Sequence, residues 1–341
     1  MPLKHYSVLK GRPIAMRFGT GQSPHYQIHI VADDADYRVA VNVQSADGSM
    51  VEYLVRSRFV HPITEDLKAL AEGLHPQPPK PGSITLDFIR GNLMQPQEMV
   101  PLPVTAPGPD NDLNEKLDQF VQRALSNENA MIYAFGETWG PETKADKYFG
   151  FRPGRGIHDI HMNQGNPMGK YSGDNGPRQD GGLVFEFPDQ NQWAAVFLKF
   201  QTQAWHTDDK TGHPITGAPG GDHSIPPDHV PTDDKPDGLV RIVGALVNAV
   251  KTPEREVVTL LNTADRDIDL TGWKLANKQP NATALSGKLA AGGVTQVVVQ
   301  KPMELSNKGG IISVLDNRGI KVHGVAYTKE QAKTPGMTIA F

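Results

Sequence analysis

The stretch from residue 207 to 238, TDDKTGHPITGAPGGDHSIPPDHVPTDDKPDG, constrains this chain more than any other. It is crowded with Pro, Gly and Asp and nearly empty of aliphatic side chains, so it cannot supply a core element and reads as an irregular linker. A chain of 341 residues also exceeds what one hydrophobic core usually serves. The sequence therefore predicts two domains, residues 1–209 and 239–341, joined by a linker over 210–238. With 38% hydrophobic residues, each has enough apolar side chain to bury.

Ahead of the linker, HYQIHIV (25–31), YRVAVNVQ (37–44), MVEYLVR (50–56), GLVFEF (182–187) and WAAVFLKFQ (193–201) are β-branched or aromatic and bounded by turn residues. Two helices are expected among them. One follows the candidate N-cap Thr64 with Leu67, Leu70 and Leu74 on a face; the other follows Asp110 or Asn111, with Leu113, Leu117, Phe120, Val121 and Leu125 at helical spacing. Both are expected to cover one sheet face. Turns at ADGS (46–49) and around PDQNQ (188–192) suit hairpins, which predicts antiparallel pairing. After the linker, VRIVGALVNA, EVVTLLNT, DIDLTGWKLA, TQVVVQ, GGIISVLD and IKVHGVAY succeed one another without helical periodicity, the pattern of a small β-sandwich with Trp273 in its core. The expected fold class is α+β and mostly β: a sheet-rich N-terminal domain with two helices, then an immunoglobulin-like β-sandwich.

Lys and Arg (34) nearly balance Asp and Glu (38), so no broad electrostatic attraction for a phosphate backbone exists and any nucleic-acid contact must be local. With no cysteine, thiolate metal sites, disulfides and a cysteine nucleophile are excluded. The start, MPLKHYSVLKGRPIAMRF, has no apolar signal-peptide core, and about 18 consecutive apolar residues occur nowhere. A cytoplasmic protein without membrane insertion is expected; export by a route needing no signal peptide stays open.

The chemistry-bearing residues fall into three groups. If 25–30 is a strand, Tyr26, Ile28 and Ile30 face one way while His25, Gln27 and His29 face the other; on the next strand Val39, Val41 and Val43 oppose Arg38, Ala40, Asn42 and Gln44. Paired as a hairpin, the polar rows lie side by side and suit an anion, Arg38 supplying a fork of donors, Gln27 and Asn42 amides, and His25 and His29 acid–base groups. A wet polar sheet face is the plain alternative. Four residues apart on a strand, His25 and His29 sit about 13 Å from each other and are not co-ligands of one metal.

The second group is FRPGRGIHDIHMNQGN (151–166). Read as a strand, Asp159, His161 and Asn163 share a face and His158 the other, so Asp159 can orient or co-ligate with His161; read as a helix, His158 and His161 meet. The strand is favoured because the segment is short and lies between Gly156 and Gly165. Arg152 and Arg155 precede it and can hold an anionic group, with Asn163, Gln164 and Asn166 adding amides. The third group is QTQAWHTDD (201–209), in which Gln203 leads into His206 and Asp208. His161, His206 and Asp208 together could hold a divalent metal (Mg, Mn or Zn), although neither stretch is a closed metal signature and an Asp-rich turn makes the same sequence. The catalytic candidates are thus His161, Asp159, His206, His158, His25 and His29. The expected reaction is hydrolysis of a phosphodiester or similar anionic substrate by a metal-dependent phosphodiesterase or nuclease, the ligand being an anionic small molecule or single-stranded nucleic acid. The alternative is a non-catalytic binding or interaction protein.

Two resemblances add to this. VTLLNTADRDIDLTGWKL (258–275), LAAGG (289–293) and LSNKGGIISVLDNRGIKV (305–322) resemble the lamin tail domain, an immunoglobulin-like sandwich, which implies docking to a protein partner. Bacterial members of that group often accompany nucleases and phosphoesterases, an association only. HYQIHI (25–30), RVAVNV (38–43), FIRGNL (88–93), PGPDNDLN (107–114), YAFGETWGPE (133–142), HDIHMNQGN (158–166) and FQTQAWHTDD (200–209) resemble the bacterial YukJ-like family of unknown function. That resemblance implies a shared fold and no activity.

Overall fold

The computed structural model describes residues 6–19, 25–43, 51–77, 93, 98–102, 111–158, 181–200, 238–250, 255–279, 281–317, 319 and 321–341. Up to residue 200 the elements are β1 (Tyr6–Phe18), β2 (His25–Ala32), β3 (Ala35–Asn42), β4 (Val51–Arg56), α1 (Ile63–Lys68), β5 (Gly73–Pro76), β6 (Val100–Leu102), α2 (Asp112–Leu125), β7 (Met131–Glu142), β8 (Gly154–His158), β9 (Gly181–Phe187) and β10 (Gln192–Phe200). All ten strands join one sheet in the order β5-β1-β2-β3-β8-β7-β9-β10-β4-β6.

An additional pairing of β1 with β7 closes part of that sheet into a ring, β1-β2-β3-β8-β7 and back to β1. Strand length explains how. β1 uses its first half, Tyr6–Gly11, on β7 and its second half, Arg12–Phe18, on β2, with a register shift between Pro13 and Ala15. β7 likewise uses Met131–Phe135 on β9 and Glu137–Glu142 on β8. Gly11 marks the crossing point in β1, where an added Cβ would lie 2.6 Å from Ile30 Cγ2 and 2.7 Å from the Val31 carbonyl oxygen. Every pairing here is antiparallel except β3 with β8, which is parallel.

The β2–β3 hairpin has the register its alternation predicts, with Tyr26 opposite Val41 and Ile28 opposite Val39. These residues fill the core with Ile30, Val43 and Ile157. Asp33 and Asp34 take positive φ (48° and 57°) at the turn, the two-residue geometry that matches strand twist and that aspartate tolerates. PDQN also joins an antiparallel pair, β9 and β10, with Asn191 left-handed at φ 46°; ADGS lies outside the described residues.

The helices depart from expectation in two respects. α2 begins as foreseen, with the Asn111 side chain accepting the Asn114 N–H, but α1 is capped at Pro62 without a side-chain bond and Thr64 lies inside it. Leu74 belongs to β5. The two helices also cover opposite faces: Leu113, Leu117 and Phe120 of α2 pack with Ile132, Ala134 and Phe185, while Ile63 and Leu67 of α1 pack with Tyr133, Phe135 and Phe197. A sheet covered on both sides needs apolar residues at successive positions, which is why LVF (183–185) in β9 and WAAVFL (193–198) in β10 run apolar without alternation.

Beyond residue 238 come β11 (Val240–Leu246), β12 (Val257–Asn262), β13 (Ile268–Asp269), β14 (Lys274–Ala276), β15 (Ala282–Ala284), β16 (Lys288–Leu289), β17 (Val294–Val298), β18 (Gly309–Leu315), β19 (Lys321–Thr328), α3 (Lys329–Ala332) and β20 (Thr338–Ala340). They form two four-stranded sheets, β17-β12-β11-β20 and β15-β14-β18-β19, and the pair β13-β16. One apolar cluster, including Val258, Leu260, Leu275, Ile312, Val314 and Tyr327, draws on both four-stranded sheets, and half-buried Trp273 packs against it. β15, β16, β20 and α3 were not foreseen; segments of two to four residues are too short to show a period. The chain is thus mostly β, in several sheets. Among the described residues no helix is long and apolar enough to cross a membrane.

Candidate functional site

The outer face of the β2–β3 hairpin carries the polar row, and it is covered rather than wet. Gln27 is 2%, Arg38 6% and Asn42 8% exposed. The cover is the β7–β8 connection, residues 143–153. Asp146 holds it in place: its Oδ1 accepts the backbone N–H groups of Tyr148 (3.0 Å) and Phe149 (2.8 Å), and its own N–H donates to Phe151 O (2.9 Å). This is an aspartate turn in which the side chain replaces a backbone acceptor. The other carboxylate oxygen accepts Arg38 Nε at 2.6 Å, fastening the loop to β3. Burial alone would raise the Asp146 pKa, but the Arg38 bond and the two backbone bonds outweigh it and hold the carboxyl below its ordinary value.

Arg38 is engaged on every side. A terminal nitrogen donates to Gln27 Oε1 at 2.7 Å, and the guanidinium lies 4.8 Å from the Trp139 ring centre and 5.2 Å from that of Tyr148. Gln27, Arg38 and Asp146 therefore form a mutually satisfied buried network, the arrangement that makes such burial affordable.

His29 is the point where this network meets solvent, its side chain 13% exposed. It stands opposite Arg38 in the register, and its Nε2 is 2.7 Å from Asp36 Oδ1. The imidazole stacks on Phe149 (centroids 4.8 Å, 26° between planes) and Phe151 (5.1 Å, 21°). Around it stand cations: Arg17 lies 5.8 Å from the Phe149 ring centre, Lys147 4.8 Å from that of Tyr148, and Arg155 4.6 Å from that of Tyr37. Arg155 Nε also donates to the Asp36 carbonyl at 3.1 Å. Arg152 is exposed in the same loop, and Tyr148, Phe149 and Phe151 are half-buried. The arrangement is a partly exposed aromatic surface edged with positive charge.

His25 opens β2 opposite Asn42, half-buried. His158 closes β8 opposite Glu137. Asp159, His161, Asn163, Gln164, Asn166, Gln203, His206 and Asp208 lie outside the described residues, as does the 210–238 linker. Among the described residues no three His, Asp or Glu side chains are grouped so as to hold a metal. Sequence reasoning missed Asp36, Asp146, Tyr148, Phe149 and Phe151. The signal was there for the loop: Asp146-Lys-Tyr-Phe-Gly, a carboxylate two residues before aromatics and four before glycine, is turn chemistry.

Five strands close into a ring in the order β1-β2-β3-β8-β7, with β3 and β8 parallel, and α2, just before β7, packs its apolar face into the core of that ring. Residues 1–212 match the DUF2278 family, described as an uncharacterized conserved protein, and the chain belongs to it. It is similar to the uncharacterized protein YukJ of Bacillus subtilis (strain 168), 42% identical over 219 residues that make up 63% of this chain and 96% of that protein.

Proposed function

We propose that the chain binds single-stranded nucleic acid across the β7–β8 loop, where it covers the outer face of the β2–β3 hairpin beside His29. The observation that carries this reading is the aromatic surface of Tyr148, Phe149, Phe151 and His29, bordered by Arg17, Lys147, Arg152 and Arg155, at the β2–β3 face and β7–β8 loop of the closed ring. A five-stranded ring in this order, with one parallel pair, fits the oligonucleotide/oligosaccharide-binding barrel, which uses that face and loop for ligands. Bases stack on aromatic side chains with little sequence preference while the cations follow the phosphates. Local charge of this kind also suits a chain of net charge −4.

The test is fluorescence anisotropy of a labelled oligo-dT and oligo-U titrated with the full chain. Binding is expected to weaken about 10-fold or more in Phe149→Ala with Phe151→Ala, since stacking contributes about 1–3 kcal/mol per base. The logarithm of affinity should fall against that of salt with a slope of roughly −3 if all four cations meet phosphates. No binding at low salt ends the proposal.

Phosphodiester hydrolysis is a second reading, favoured by the His29–Asp36 pair. A carboxylate on Nε2 orients the imidazole and leaves Nδ1 to take the proton of an attacking water. Asp159, His161, His206 and Asp208 would belong to it, with Mg²⁺, Mn²⁺ or Zn²⁺ as the metal. Incubating nucleic acids, cyclic nucleotides and phosphoesters with each metal, and comparing the chain with His29→Ala and His161→Ala, separates the readings: ligand bound without turnover leaves the binding protein. For residues 239–341 we propose an immunoglobulin-like sandwich of the lamin-tail kind, docking the chain to a protein partner; two four-stranded sheets sharing one core support it.

A further inference from the structure

We propose that β17 is a self-pairing edge through which two copies of the chain join. β17 is outermost in its sheet and pairs with β12 alone. The bonded side is fixed at both ends, where the Val299 N–H donates to the Glu256 carbonyl and the Asn262 N–H to that of Gly293. Antiparallel alternation then turns the main chain of Gly293, Thr295, Val297 and Val299 toward β12, and that of Val294, Gln296 and Val298 outward. Among the described residues these outward groups have no partner.

Among the described residues the other edges are short, broken or tied down: β5 ends in Pro76, β6 has Pro101 at its centre, β15 and β20 are three residues long and β13 and β16 two, and the longer β19 is bound to β11 where His323 accepts the Ile242 N–H. Such devices stop a row of free N–H and C=O groups from recruiting another strand. β17 has none of them: its five residues, VTQVV, include no proline and no charge, and Val294 is 61% exposed.

The pattern of the edge identifies the occupant. Val294 and Val298 are placed symmetrically about Gln296. An antiparallel pair with its two-fold axis at Gln296 sets Val294 against Val298 of the second copy, and Gln296 against Gln296, at each of the outward positions. All three are hydrogen-bonded pairs, about six bonds in total. Thr295 and Val297 point inward, Val297 against the core, so the outer face of the pair is Val–Val, Gln–Gln, Val–Val, which covers the exposed valine and lets the carboxamides bond on the axis. An unrelated peptide would gain nothing from this symmetry; a second copy matches it at every position.

Sedimentation velocity of the full chain from about 1 to about 200 μM tests this. A dimer that grows with concentration is expected. Gln296→Lys sets two ammonium groups against each other on the axis and should weaken association at least about 10-fold, whereas Ile14→Lys, at an exposed position of β1, should leave it unchanged. Gln296 is exposed, so circular dichroism of the variant should match the parent. A monomer at every concentration overturns the proposal and leaves the edge to an extended segment of another protein. A dimer that Gln296→Lys does not disturb overturns it too.

Discussion

Asp146 and His323 both make stability fall as the pH is lowered, in different halves of the chain, and each can be tested alone. Asp146 closes the β7–β8 loop and neutralises Arg38 in a buried setting. Removing it strands a buried guanidinium, so Asp146→Ala should cost about 3 kcal/mol or more in chemical denaturation and expose the hairpin face. Because its folded pKa is lowered, its contribution is complete above the ordinary carboxylate range and is lost as pH falls through the folded value. In β19, His323 accepts the Ile242 N–H at Nδ1 (3.2 Å). Burial, then Lys321 and Arg241, push its pKa from 6.5 down to about 4. A histidine kept neutral by folding stabilises fully above pH 6.5, and that stability drains as pH falls toward 4, by up to about 3 kcal/mol. His323→Gln should flatten the melting temperature of the parent across that window; a parent profile already flat there would refute the assignment.

At the scale of elements, the closure of the ring depends on β8 lying against β3. Gly156 makes this possible: a Cβ there would fall 1.8 Å from the Arg38 carbonyl oxygen, a backbone atom that cannot swing aside. Gly156→Ala should therefore cost about 3 kcal/mol or more, with β3 and β8 losing amide protection first in hydrogen exchange, whereas Gly150→Ala, which meets no atom and strains only a backbone at φ 77°, should cost less and keep that pairing. The same elements show what a sequence can and cannot disclose. Strict alternation in HYQIHI and RVAVNV determined which residues of β2 and β3 enter the core, because a one-residue slip would reverse every side chain. Alternation says nothing about what lies over the other face. The polar row of Gln27, Arg38 and Asn42 matched a wet sheet or a ligand site equally well, and only the loop held by Asp146, more than a hundred residues later in the chain, buries it. The parallel contact of β3 with β8 was hidden for the same reason, since β8 is short and its partner distant in sequence.

For the whole molecule, two sets of cores imply two unfolding events. The apolar clusters up to residue 198 and the cluster from Val240 onward share no residue. The halves meet through the exposed ion pair between Lys278 and Asp66 (3.2 Å), a kind of contact that contributes about 0–1 kcal/mol, and along a seam where Pro62 lies against Gly309, but no core cluster spans them. Cooperativity needs shared burial, so calorimetry of the full chain should resolve two transitions, the outcome that the division expected from the sequence at 210–238 requires. Titratable groups give each half a signature that identifies its transition without cutting the chain. Lowering the pH from 6.5 to about 4 should draw down the transition of the C-terminal half through His323, and His323→Gln should remove that response while leaving the other transition in place. Asp146→Ala should do the reverse, lowering the N-terminal transition at neutral pH and sparing its neighbour. One transition that both substitutions shift together would mean a single cooperative unit, and the reading of two separately folding halves would fall with it.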